Sequence, residues 1–328
     1  MVPRKILLTG LRILAVCLLF MICFGLGGVL SGLDKIGQQS VTSQQPQTVN
    51  QQLPQMPGNL LRTFLIFTLC VGSVLSYVIL RARWYGWKLV GTIFVSMYGI
   101  STVVAQLDSI AFLSSKLPQG MIRAIFVQGA IAAALFAPLA VLALGKWRPA
   151  SPPPSPPAPL KLASLLPGLA LLVPSFVFLY MFFGYYVAWK NPELQRFYDG
   201  PELPTFWAAL KHNWASSRWI YLLAAFRALL YLACLYPLVR MLRASRRESS
   251  LAAALFLACW TTALLLPNPL MPASVARSHF WETLGFSLVF GALAGWLLSL
   301  TPPVPQPLLP TPPSSAITAG SASPASSP

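Results

Sequence analysis

The chain reads as an all-α integral membrane protein with about eight transmembrane helices, and three observations carry that reading. Of the 328 residues, 56% are hydrophobic and only 9% are charged, which leaves too few polar side chains to cover a water-soluble globule. Apolar runs of roughly 17 to 25 residues, the length that crosses a hydrocarbon core, recur near 11–31, 60–80, 88–110, 121–145, 162–187, 218–240, 250–268 and 279–300. Each such run has to be a helix, because an open sheet in lipid would leave its edge amides without partners. The third observation is the placement of charge between the runs.

If the chain starts inside, one side collects thirteen cations: Arg4, Lys5, Arg12, Arg81, Arg83, Lys88, Lys146, Arg148, Lys161, Arg240, Arg243, Arg246 and Arg247. Glu248 is the single acid among them, so that side carries +12, while the other side has nine cations and six acids, a net +3. Arg227, inside a run, completes the formal +16. The bias predicts that both termini are cytoplasmic. Because the basic residues are scattered between spans and form no stripe with interleaved aromatics, the high net charge is a topology signal and does not point to nucleic acid.

Taken in order, Met1 to Leu33 has the parts of a signal peptide, "MVPRK", an apolar run and "VLSG". Its apolar core of about 20 residues exceeds the usual 7 to 15, so it is expected to be a retained first span. Cys17, Cys23, Cys70, Cys234 and Cys259 all fall inside spans with no C-x-x-C and no zinc spacing, and read as small packing residues. Small faces for close helix contact come from Gly25, Gly27 and Gly28, from Gly72 with Ser76, from Gly129 with Ala133, and from Gly291 with Gly295. Pro138, Pro167, Pro174 and Pro237 interrupt spans and are expected to kink them.

Segment 149–160, "PASPPPSPPAPL", is a proline-rich linker of polyproline II type that divides the chain into a first half, 1–148, and a second half, 161–300. Residues 301–328 have no periodic apolar face and are expected to form a disordered tail rich in Pro, Ser and Ala. At an offset of 154, Pro118 matches Pro272, Arg123 matches Arg277, Phe126 matches Phe280, Gln128 matches Glu282 and Phe136 matches Phe290. Two four-helix halves in parallel repeat would explain those matches, as would chance in helices of similar composition. In the second long outer loop, "TFWAALKHNWASSRW" places Phe206, Trp207, Leu210 and Trp214 at helical spacing, which suits a segment lying at the membrane interface.

Four ionisable residues fall within or near the outer ends of spans: Asp108, Arg227, His279 and Glu282. An Arg or Asp at a span centre costs about 2.5 to 3.5 kcal/mol on insertion scales, so these groups should face protein or water. Arg227 is expected about 14 Å below the outer surface, within reach of Asp108, Glu282 or both. His279 and Glu282, three apart, share one helical face, with Arg277 above them in "RSHFWETLGF". Two readings stay open: a structural ion-pair network, or a polar cavity that takes a proton, an ion or a small polar solute.

A catalytic reading finds little support. There is no H-E-x-x-H, no Gly-rich phosphate loop and no G-x-S-x-G elbow, and His212 is the only other histidine. No cofactor, metal or nucleic acid is expected, and the expected partners are the lipid bilayer and a small solute or ion.

The segments "TFLIFTLCVGSVLSYVILRARWYGWKLVG", "YYVAWKNPELQRFYDG" and "LLPNPLMPASVARSHFWETLGFSLVFG" resemble a family of uncharacterised bacterial polytopic membrane proteins. The similarity covers most of residues 60 to 300, excluding the proline-rich linker, and includes the acid–hydroxyl pairs Asp108-Ser109 and Glu282-Thr283. It implies a bacterial cytoplasmic membrane and no particular substrate. The expected function is therefore transporter-like or ligand-binding, with a non-catalytic assembly or sensory subunit as the alternative.

Overall fold

The computed structural model describes residues 4–36, 59–149, 165–268 and 271–299. The proline-rich segment from 150 onward, the tail after 299 and most of the first long loop lie outside the described residues. Among the described residues eight helices are long and apolar enough to cross a membrane: Ile6–Ser31, Leu60–Leu80, Gly86–Leu113, Met121–Ala143, Leu166–Ala188, Trp219–Met241, Arg246–Leu265 and Ala273–Leu298. They are called spans one to eight below.

Six of the eight lie within four residues of their expected bounds, and span one starts at Ile6, five before the expected 11. Span eight starts at Ala273, six residues before the expected 279, because Pro272 opens the helix while the apolar run begins only beyond Arg277. Hydropathy marks where lipid begins; the backbone helix extends past it. Span seven starts with an N-cap, the Ser245 hydroxyl accepting from Glu248 N–H. Pro167 stands in the first turn of span five, where a missing N–H costs nothing, whereas Pro138, Pro174 and Pro237 are interior to their helices.

One hydrophobic core draws on all eight spans. Two aromatic hubs organise it. Phe20 of span one meets Phe67 of span two, Phe136 of span four and Trp260 of span seven, at centroid distances of 5.4, 5.5 and 6.1 Å. Phe176 of span five packs against Phe286 and Phe290 of span eight at 4.8 and 4.9 Å and against Tyr231 of span six at 5.4 Å.

Between lipid-facing helices no hydrophobic gain separates contact from solvation, so close approach depends on small residues. A Cβ on Gly291 would lie 2.6 Å from Cα of Ala254, and one on Gly295 would lie 2.5 Å from the Ser249 carbonyl. Spans seven and eight therefore touch backbone to backbone. Gly72 stands against Cys17, Gly129 against Thr102 and Gly27 against Gln128, while Gly25 faces open space. Ser96 Oγ, which donates to the Cys234 carbonyl at 2.8 Å, ties span three to span six.

Two spans contain a π turn, Gly99–Val104 in span three and Gly184–Ala188 in span five. One extra residue in a turn rotates everything beyond it by about 100° relative to an uninterrupted helix. Between spans five and six, a short helix Pro192–Phe197 is capped by Asn191, and the helix Phe206–Ser216 is capped by Thr205. In the second of these Phe206 is buried against Tyr185 and Tyr186, while Trp207 and Trp214 stay exposed.

Candidate functional site: an ionisable cluster among spans three, five, six and eight

Arg227 stands eight residues into span six, where burial leaves its side chain 8% accessible. Its Nη1 donates to Asp108 Oδ1 at 2.6 Å. Asp108 lies just past the π turn of span three, which sets the direction in which it leaves that helix. The carboxylate is 37% accessible, so the pair is closed around the guanidinium and open at the acid. Tyr180 of span five lies under the cation, with Cζ 5.1 Å from its ring centroid, a distance at which the ring quadrupole attracts positive charge. Nε of Arg227 is buried without a hydrogen-bond partner among the described residues.

The second pair belongs to span eight. His279 Nδ1 stands 2.7 Å from Glu282 Oε2, the i,i+3 spacing bringing them to one face. An ionised carboxylate can only accept, so with Glu282 charged the proton on this bond is on Nδ1. The other ring nitrogen, Nε2, lies 3.0 Å from the Tyr198 hydroxyl. Tyr198 closes the loop helix Pro192–Phe197, outside the spans, and burial together with the Glu282 and Asp108 carboxylates pushes its phenol well above the usual range. It is therefore a neutral hydroxyl at any physiological pH. It donates to neutral imidazole and accepts from imidazolium, so the chain Tyr198–His279–Glu282 keeps its contacts in either protonation state.

Packing fixes this chain in place. Asn191 Nδ2 donates to Ser278 Oγ at 2.9 Å and to the Ser274 carbonyl at 3.2 Å, and Ser274 also meets Glu193. The short helix is thereby fastened to the head of span eight. Lys116, after span three, donates to the Phe197 carbonyl at 2.6 Å and to Asp199 at 2.8 Å, pulling the same loop toward the end that carries Asp108. On the span-five side, Gly184 opens the second π turn next to Glu282, whose Oε1 would lie 3.5 Å from a Cβ there.

All four residues singled out in the sequence thus fall in one region, as two pairs that act on each other electrostatically. Of the partners left open for Arg227, the structure pairs it with Asp108; Glu282 takes His279 instead. His279, one turn away on the same helical face, takes the Glu282 carboxylate, which lies nine residues from the head of its helix, about 13 Å along the axis. Arg277 is exposed and stands apart from the cluster. Three tyrosines were not anticipated: Tyr180, Tyr198 and Tyr231, the last beside Arg227. For Tyr180 and Tyr231 the available signal was a phenol inside an apolar run, where phenylalanine would need no partner, whereas Tyr198 lies in a polar loop with no such signal.

Among the described residues no three His, Cys, Asp or Glu groups come together to hold a metal ion. A separate groove of about 440 Å³, lined by Val177, Phe178, Met181, Phe206 and Leu222 among others, lies between spans five and six and the Phe206–Ser216 helix. Its walls are apolar, and it is not continuous in chemistry with the cluster.

The fold and the site together define a polytopic membrane protein with ionisable groups gathered among its spans. No family model, curated protein or solved structure matches the chain.

Proposed function

We propose that this is a transporter-like or ligand-binding protein of the bacterial cytoplasmic membrane, whose cluster exchanges a proton together with an ion or a small polar solute at an outward-facing site. The observation that carries the proposal is the hydrogen-bonded chain from Tyr198, outside the spans, through His279 to Glu282, next to the Arg227–Asp108 pair. An imidazole between a carboxylate and a phenol can take a proton on one nitrogen and release it from the other. Ionisable groups inside a membrane span mark ion and proton paths more often than chance allows.

A second reading rests on Arg227 and Asp108 alone. A buried pair between spans six and three also fixes helix packing, and a non-catalytic assembly or sensory subunit would need nothing more.

The two readings separate on pH. The groups facing His279 are Glu282 on its own helix, Tyr198 from the loop and Asp108 from span three. An imidazole titrates near pH 6.5 in the absence of other influences. Thermal unfolding of the purified protein, followed from pH 5 to 8 with and without sodium, potassium and a panel of small polar solutes, is expected to shift with pH in wild type. His279→Gln, an amide that keeps hydrogen bonds but does not titrate, should flatten that profile at equal expression. Superimposable profiles for the two proteins would remove the proton-exchange reading and leave the structural one.

A further inference from the structure

The cations that the sequence scatters among three loops are gathered by the fold into one platform. Ala82, after span two, and Leu242, after span six, form an antiparallel bridge, with Arg83 N–H donating to the Met241 carbonyl at 2.7 Å and Arg243 N–H to the Arg81 carbonyl at 2.9 Å. Arg83 Nη2 donates to the Leu242 carbonyl at 2.7 Å, and Lys146, from the loop after span four, donates to the Ala82 carbonyl at 2.9 Å. Gly86 N–H to the Lys146 carbonyl, at 3.0 Å, closes the third side. Arg243 Nη2 lies 3.3 Å from the Tyr85 hydroxyl, and Arg12 of span one borders Gly145.

Charge balance is missing here. Glu248, the one acid on this face, is committed to Arg81 and Tyr77. Arg83, Lys146, Arg240 and Arg243 have no carboxylate partner among the described residues. They crowd one another instead: burial and the charges of Arg240 and Arg243 hold Arg83 below its ordinary value, and burial with Arg243 does the same to Lys146. Backbone carbonyls absorb some of their N–H groups and cancel no charge. Beside it Trp87, 73% exposed, and Trp147 pack edge to face at 5.1 Å at the ends of their spans, and tryptophans at span ends favour headgroup depth.

We propose that Arg83, Lys146, Arg240 and Arg243 form a site for the phosphate headgroup of an anionic phospholipid, seated where spans two, four and six end. Guanidinium forks suit phosphate oxygens, and fixed cations at the membrane surface favour anionic lipid by about 1 kcal/mol each, or about fivefold per charge. The proposal does not depend on the function proposed above.

The test uses the full-length protein in neutral detergent, titrated with phosphatidylglycerol, with phosphatidylcholine and with inorganic phosphate, each followed by the shift in melting temperature. Phosphatidylglycerol should raise the midpoint of wild type and phosphatidylcholine should not. The double variant Arg240→Gln/Arg243→Gln should need about thirtyfold more phosphatidylglycerol for the same shift. Arg246→Gln/Arg247→Gln, an equal loss of charge on the same face, should respond like wild type. Equal weakening in both double variants would reduce the effect to general surface charge, and an equal response to inorganic phosphate would overturn the lipid source. Should the first variant not fold, native mass spectrometry of wild type decides: phosphatidylglycerol retained and phosphatidylcholine lost supports the site, and equal retention overturns it.

Discussion

An arginine that starts eight residues deep in an apolar helix persists only if something answers its charge, and in this protein Asp108 does. Asp108→Asn removes the answer and leaves the cation in place. Breaking a buried pair in this way typically costs 3–5 kcal/mol, and since Asp108 retains access on one side we expect about 3 kcal/mol. Adding Arg227→Gln should recover part of the loss, which unfolding of the purified single and double variants would measure. Additive losses would mean that the two do not interact directly. Glu282→Gln should spare this pair, because Glu282 binds His279. The four ionisable residues were legible in the sequence, since each is costly in an apolar run. Their pairing was not, because pairing depends on how the helices are rotated and packed against one another. Tyr180 escaped notice because a tyrosine in an apolar stretch looks like packing, and Tyr198 because nothing in its polar loop points toward span eight.

Among the elements, the contact between spans seven and eight is the closest to a fixed seam. A methyl group at Gly291 would meet the backbone of residues 253 and 254, which has no rotamer to escape into. Gly291→Ala is therefore expected to destabilise by about 1–3 kcal/mol through overpacking. Gly25→Ala, facing open space, should be neutral or gain up to about 1 kcal/mol of helix propensity. Melting temperatures of the two variants in the same detergent check the contrast, and equal effects would mean that the seam is not under constraint. Both glycines look alike in sequence, each in a small-residue motif of an apolar helix. The π turns were equally hidden: Gly99 and Gly184 open them, yet nothing in an apolar run distinguishes a six-residue turn from an ordinary one.

For the molecule as a whole, the +12 against +3 imbalance predicts that the arginine-rich loops face the cytoplasm. In a cysteine-free background, single changes Gln45→Cys and Lys211→Cys should react with an impermeant thiol reagent on intact cells, and Gly320→Cys should react only after lysis. The reverse pattern would overturn the orientation. The sequence by itself determined the class, the number of spans and the residues too polar to face lipid, because hydrophobic length and the cost of burying charge are local properties of a segment. Tertiary structure alone decided that Arg227 pairs with Asp108, that Tyr198 extends the His279–Glu282 pair out of the bundle, and that cations from three loops meet at Ala82 and Leu242. Those contacts join residues 64 to 162 positions apart, and what brings them together is the rotation and depth of packed helices, which a single extra residue in a turn resets.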